Sequence, residues 1–145
     1  ILEDIDVSHF IDEIIVHLDY MSALRNRFSV NYNHKSLIRA DYSIIRVFFN
    51  LIKNCNEAAG RQGIVFIETE ESEKTITFRV GNTHSRIDAE CLNKLFEPSF
   101  TLKENGHGLG LMVVKKILHD HNANIAVRLN THAGKITFEF SIAKV

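Results

Sequence analysis

Three of the chain's seven glycines, Gly106, Gly108 and Gly110, fall within five residues. An apolar helical pattern follows at once, with Leu111, Val114, Ile117 and Leu118 on one side and Lys115 and Lys116 on the other. Glycine tolerates positive φ and leaves backbone N–H groups uncovered. A helix N-terminus adds unpaired N–H donors and partial positive charge. Together they form a cradle for a phosphate or another anion, and Lys103 stands three residues upstream. Taken alone, the pattern fits equally a turn that merely packs a helix closely against a strand. It is not a P-loop, because no Gly-Lys-Ser/Thr follows. It is not a Rossmann turn either, because the glycine spacing differs and a long polar loop precedes it.

The second informative stretch is residues 42–59, read as a helix with Asp41 as N-cap. Ile44, Ile45, Phe48, Leu51, Ile52, Cys55 and Ala59 give it a wide apolar face, and Arg46, Asn50, Lys53, Asn54 and Glu57 a polar stripe. Such a stripe is most often the solvated side. Asparagines are poor helix-interior residues, however, because their side chains compete for backbone hydrogen bonds. Two of them one turn apart among bulky apolar residues suggest a half-buried polar cluster, of the oxygen-donor kind that suits a hard cation with phosphate ligands.

The remaining periodicity predicts a helix over 8–26, capped by Asp6 or Ser8, and strands over 28–32, 37–40, 63–70, 75–80, 125–129 and 136–142. Between 82 and 108 the pattern lapses, except for a short helical run over 89–96. The fold expected is a two-layer α/β sandwich, a mixed and mostly antiparallel sheet with helices on one face. The 145 residues suit one domain with one core. A net charge of −1 points to no nucleic-acid partner, and no apolar run approaches a membrane span. Cys55 and Cys91 stand in no metal or redox spacing. The chain starts at Ile1 rather than Met and is read as a piece of a longer protein.

Three stretches, in order and in register, resemble the ATP-binding catalytic domain of sensor histidine kinases, the Bergerat fold shared with DNA gyrase, HSP90 and MutL. Asn50-Leu51-Ile52-Lys53-Asn54-Cys55-Asn56-Glu57-Ala58 resembles the N box. Leu95-Phe96-Glu97-Pro98-Ser99-Phe100-Thr101-Leu102-Lys103 resembles the F box of the ATP lid, here about 83–107. Gly106-His107-Gly108-Leu109-Gly110-Leu111 matches the G2 box. The resemblance spans nearly the whole chain. It implies that Asn54 holds Mg²⁺ bridging the phosphates of ATP, that Asn50 lines the same site, and that Lys53 and Lys103 contact phosphate. The backbone of Gly106, His107, Gly108, Leu109, Gly110 and Leu111 would cradle the phosphates. Where gyrase-like relatives carry a water-activating Glu, this chain has Asn50, which suits a kinase that spares ATP for a protein histidine. Glu57 is a further candidate, for polarising the acceptor.

The G1 box departs from its pattern of Asp-x-Gly-x-Gly. It falls at Asn82-Thr83-His84-Ser85-Arg86, so Asn82 replaces the Asp that binds the adenine amino group. His84 and Arg86 replace both glycines, each at an expected cost of about 1–2 kcal/mol if left-handed. The Asn82 amide is also expected to be able to flip and so to tolerate a base with an acceptor at that place. No His lies in the family's phosphoacceptor context. The partners implied are therefore ATP, a dimerisation and phosphoacceptor domain of the same protein, and a response regulator downstream. The location implied is a cytoplasmic domain of a membrane-bound sensor kinase, without membrane contact of its own. The alternative is a degenerate module with weak or no nucleotide binding, serving regulation or interaction.

Overall fold

The computed structural model describes residues 1–21, 27–92, 94–97 and 110–145. Among them the elements run β1 (Glu3–Ile5), α1 (Val7–Met21), β2 (Phe28–Asn31), β3 (Ile38–Ala40), α2 (Ile44–Ala59), β4 (Val65–Glu71), β5 (Thr75–Asn82), α3 (Ala89–Leu92), α4 (Gly110–Asp120), β6 (Ala126–Asn130) and β7 (Lys135–Ala143). The main sheet has the order β2-β4-β5-β7-β6. Its ladders are antiparallel except β2 with β4, which is parallel. The mixed, mostly antiparallel two-layer α/β sandwich is therefore present.

Alternation decides which face is wet. Ile76, Phe78 and Val80 of β5 and Ile136, Phe138, Phe140 and Ile142 of β7 are buried on the helix side. On the other side, Arg79 bridges Glu70 and Glu139 at 2.9 and 2.8 Å, and Arg128 reaches the far oxygen of Glu139. These four charges tie β4, β5, β7 and β6 together across the solvent face.

α2 lies on the apolar face. Phe48 meets Phe78 edge-on at 4.9 Å between ring centroids and Phe140 at 5.5 Å, and Phe78 and Phe140 stack at 5.4 Å. The buried stripe of α2 contains Val47, whereas Ile45 is only half-buried. The helix thus sits slightly rotated from the predicted face, because Val47 rather than Ile45 shares the inward side with Ile44, Phe48 and Leu51.

Helix ends differ from expectation in detail. Asp6 caps α1, accepting from the His9 N–H at 3.3 Å and from the Ser8 hydroxyl at 2.7 Å. The Ser8 bond leads in holding the Asp6 carboxyl below its ordinary range. α2 starts two residues later than predicted. A turn comes first, in which the Asp41 carboxylate accepts from the Ser43 N–H at 2.8 Å and its carbonyl from the Ile44 N–H at 3.0 Å. At the other end of α2, the Arg27 guanidinium donates to the carbonyls of Gly60 at 2.5 Å and Asn56, a favourable charge at a helix C-terminus. The run 37–40 pairs with β1, a strand unforeseen in the sequence, as a separate two-stranded sheet. The end of the predicted first helix, 22–26, lies outside the described residues.

Glu71, closing β4, fastens three segments. Its carboxylate accepts from the backbone N–H groups of Lys35 and Ser36 at 2.9 and 3.0 Å and from the Lys144 ammonium at 2.9 Å. These bonds, the Lys35 N–H first, pull the Glu71 carboxyl from 4.5 down to about 2. A depressed carboxylate stabilises the fold above its unfolded value, and the contribution fades as pH falls through the folded one. Glu71→Gln should therefore be less stable than the parent at neutral pH. The gap between their urea midpoints should close as pH is lowered from about 5 towards 2; a gap independent of pH would show that the charge is idle.

Candidate functional site

The polar stripe of α2 divides in two. Arg46, Lys53 and Glu57 are exposed, whereas Asn50 and Asn54 are half-buried. The Lys53 ammonium lies 5.9 Å from the Phe49 ring centroid, one turn back along α2. The asparagines are half-covered because α4 packs against α2. A Cβ built on Gly110, the first residue of α4, would lie 3.6 Å from Asn54 Nδ2 and 3.8 Å from Asn50 Oδ1. The fold thus brings the first turn of one helix, with its backbone N–H groups, against two side-chain amides of another. α4 is held there by Val114, Ile117 and Leu118, all buried, while Lys115 and Lys116 stay in water as predicted. Leu111 is half-buried in its first turn. Lys103, Gly106, His107, Gly108 and Leu109 lie outside the described residues.

At the end of β5, alternation carries Asn82 to the same side as Ile76, Phe78 and Val80. Asn82 is 1% exposed. Its Nδ2 donates to the Thr83 carbonyl at 2.9 Å. Its Oδ1 is buried and has no hydrogen-bond partner among the described residues. An unsatisfied buried acceptor costs about 1–3 kcal/mol, so such an atom in a native fold calls for an explanation. The flip expected of this amide is opposed by its neighbour, since reversal would set Oδ1 against the Thr83 carbonyl, acceptor to acceptor.

The loop after Asn82 manages without glycine. Only His84 of the two substituted positions is left-handed, at φ 60°; Arg86 is not, so the expected strain falls once rather than twice. Histidine is among the residues enriched in that region. Side-chain and backbone bonds hold the loop. The Ile64 N–H donates to Thr83 Oγ1 at 2.9 Å, and the Ser85 N–H to the Gly134 carbonyl at 2.8 Å. Beyond it, Asp88 caps α3 by accepting from the Cys91 N–H at 2.9 Å. Leu95 enters the core, and Phe96 meets Phe138 edge-on at 6.4 Å. α3 covers only the first half of the predicted helical run 89–96.

Gly81 escaped sequence reasoning. It needs no unusual φ, but a Cβ there would overlap the Ile136 carbonyl oxygen and the Phe66 ring. It lets β7 and Phe66 close on the strand just before Asn82.

The sequence model of the family described as "Histidine kinase-, DNA gyrase B-, and HSP90-like ATPase" matches residues 41–144. Sporulation kinase A of Bacillus subtilis is 32% identical over 98% of this chain and 24% of its own length. Sensor histidine kinase ZraS of Salmonella typhimurium is 34% identical over 70% of this chain and 22% of its own. The solved catalytic domain of histidine kinase ThkA superposes with a TM-score of 0.86 at 28% identity, covering 99% of this chain and 96% of that one. The chain belongs to this ATPase family, as an ATP-binding catalytic domain of the sensor histidine kinase type. It spans about a quarter of the length of these two relatives.

Gly81→Ala tests the close approach beside Asn82. The Ile136 carbonyl, which is backbone, occupies the space together with the tip of the Phe66 ring. The substitution should therefore lower stability by about 1–3 kcal/mol or more, read as a lower urea midpoint with an unchanged slope. An unshifted midpoint would mean that the strands separate freely there.

Proposed function

We propose that the chain binds Mg-ATP where α2, the end of β5 and the N-terminus of α4 meet. It would donate the γ-phosphoryl group to a histidine on a separate dimerisation domain of the same protein. The single observation that carries the nucleotide reading is the buried Oδ1 of Asn82, without a hydrogen-bond partner among the described residues, on the helix side of the sheet. A ligand N–H donor such as the adenine amino group would satisfy it. Support for the phosphate end comes from Gly110 lying against Asn50 and Asn54. Helix N–H groups suit anionic oxygens there, and amide oxygens suit a hard cation.

Asn54 is the proposed Mg²⁺ ligand, with Asn50 beside it. The cation would neutralise charge on the phosphates, and positioning supplies most of the remainder in phosphoryl transfer. Asn50 lacks a carboxylate to take a proton from water, which favours transfer over hydrolysis. Lys53 and Lys103 are proposed phosphate contacts, the backbone of Gly106–Leu111 the proposed cradle, and Glu57 a group to polarise the acceptor. A response regulator is the proposed downstream partner; the histidine kinase ThkA has been solved in complex with the response regulator TrrA. No described helix is long and apolar enough to cross a membrane, and a cytoplasmic site in a membrane-bound kinase is the proposed setting. The departures at Asn82, His84 and Arg86 favour a second reading, a regulatory module that binds nucleotide weakly or not at all.

Calorimetric titration separates the two readings. Asn54→Ala should remove most of the Mg-dependence of ATP binding and leave the far-UV circular dichroism unchanged. A mutant with the parent's Mg-dependence would remove Asn54 from the metal.

Asn82→Asp should tighten ATP binding, because an ionised acceptor makes a hydrogen bond about twice as strong as a neutral one, a gain that outweighs the repulsion between its second oxygen and the Thr83 carbonyl. The expected gain is on the order of 1 kcal/mol, somewhat under tenfold in affinity. Preference over GTP should sharpen as well. Equal affinities in parent and mutant would show that Asn82 does not face adenine.

A further inference from the structure

α4 touches α2 at both of its ends. At its start, Gly110 lies against Asn50 and Asn54 in the middle of α2. Beyond its last residue, the His121 ring spans back to the turn that opens α2. The Asp41 backbone N–H donates to His121 Nε2 at 3.0 Å, and His121 Nδ1 lies 2.8 Å from the Ile117 carbonyl. A backbone N–H can only donate and a carbonyl can only accept. Nε2 must therefore be the bare nitrogen and Nδ1 the protonated one, and that single neutral tautomer satisfies both bonds. Ile117 O belongs to the last turn of α4 and also accepts the His121 backbone N–H at 3.2 Å. Asp41 in turn holds the first turn of α2 through Ser43 and Ile44. One imidazole thus joins the end of one site helix to the start of the other.

α4 has 11 residues, so the joint lies roughly 16 Å from the Gly110 end at about 1.5 Å per residue. A helix fastened only near one end can swing at the other. With the His121 joint added to the buried Val114, Ile117 and Leu118, α4 presents its N-terminal N–H groups at a set height over Asn50 and Asn54. We propose that His121 is a positioning residue for the nucleotide: it sets the alignment of α4 on α2 and thereby the phosphate-binding N-terminus, without touching the ligand. This rests on the Mg-ATP reading above. A glutamine reaches as far as the imidazole and offers an acceptor oxygen for the Asp41 N–H; alanine offers nothing.

The test compares the unaltered chain with His121→Ala and His121→Gln, each first checked by far-UV circular dichroism. Mg-ATP is titrated by calorimetry, and exchange of the Asp41 amide proton is followed without nucleotide. His121→Ala should bind Mg-ATP about five- to tenfold more weakly, the equivalent of one lost hydrogen bond, while His121→Gln stays within about twofold of the parent. The Asp41 amide should exchange slowly in the parent and the Gln variant, and fast in the Ala variant. A folded His121→Ala that binds Mg-ATP as well as the parent overturns the proposal, even if it melts earlier. So does a Gln variant as weak as Ala. Failure of the unaltered chain to bind Mg-ATP overturns the site reading instead. In that case slow Asp41 exchange in parent and Gln alone supports the joint, and equal exchange in all three disproves it.

Discussion

The packing of Phe48 onto Phe78 and Phe140 is the contact on which the rest depends. It fixes α2 against the middle strands of the sheet, β5 and β7, with three large rings fully or nearly fully buried. Aromatic groups of this size dominate core energetics, and edge-to-face contacts add specificity of angle. Once that face of α2 is committed, the helical period leaves no choice about the opposite side. Asn50 and Asn54 must turn away from the sheet, towards whatever packs next along α2, and that is α4. Phe78 stands on β5, whose inward-facing series runs on through Val80 to Asn82. The proposed base and phosphate contacts are therefore positioned by one hydrophobic seam.

Much of this was legible in the sequence because period and chemistry agree there. Ile76, Phe78 and Val80 alternate, as do Ile136, Phe138, Phe140 and Ile142, and all are buried where alternation puts them. Asn50 and Asn54 stood out because asparagine is costly inside a helix without a partner or purpose. What escaped depends on distant residues. β1 is three residues long and exists only because β3 pairs with it. Gly81 carries no local turn signal; its reason is the Ile136 carbonyl, 55 positions on in the sequence numbering. The role of His121 needs Asp41, which no periodicity connects to it. Val47 in place of Ile45 on the inner face reflects a small rotation that packing alone sets.

The altered loop after β5 shows how a motif can lose its glycines and keep its path. His84 takes the left-handed conformation itself, and the Thr83 hydroxyl and Gly134 carbonyl supply bonds on either side. The strain is local and of the order of 1–2 kcal/mol, small against the core that closes beneath it. The chemical change at Asn82 is separate from the conformational one. An amide pinned by the Thr83 carbonyl keeps an acceptor pointing one way, as a carboxylate would, but without its charge.

The central claim, that Asn50 and Asn54 of α2 and the start of α4 surround the metal–phosphate end of a bound nucleotide, is tested most directly by paramagnetic broadening. Mn²⁺ with a non-hydrolysable ATP analogue would be added to isotope-labelled protein and compared with the Mg²⁺ complex. The side-chain amides of Asn50 and Asn54 and the Gly110 backbone amide should broaden most steeply. Those of Asn31 and Asn33, which line a groove with Glu68, Glu70 and Arg79 on the opposite face of the sheet, should keep their intensity. Strong broadening at Asn31 and Asn33, with Asn50, Asn54 and Gly110 unaffected, would contradict the claim.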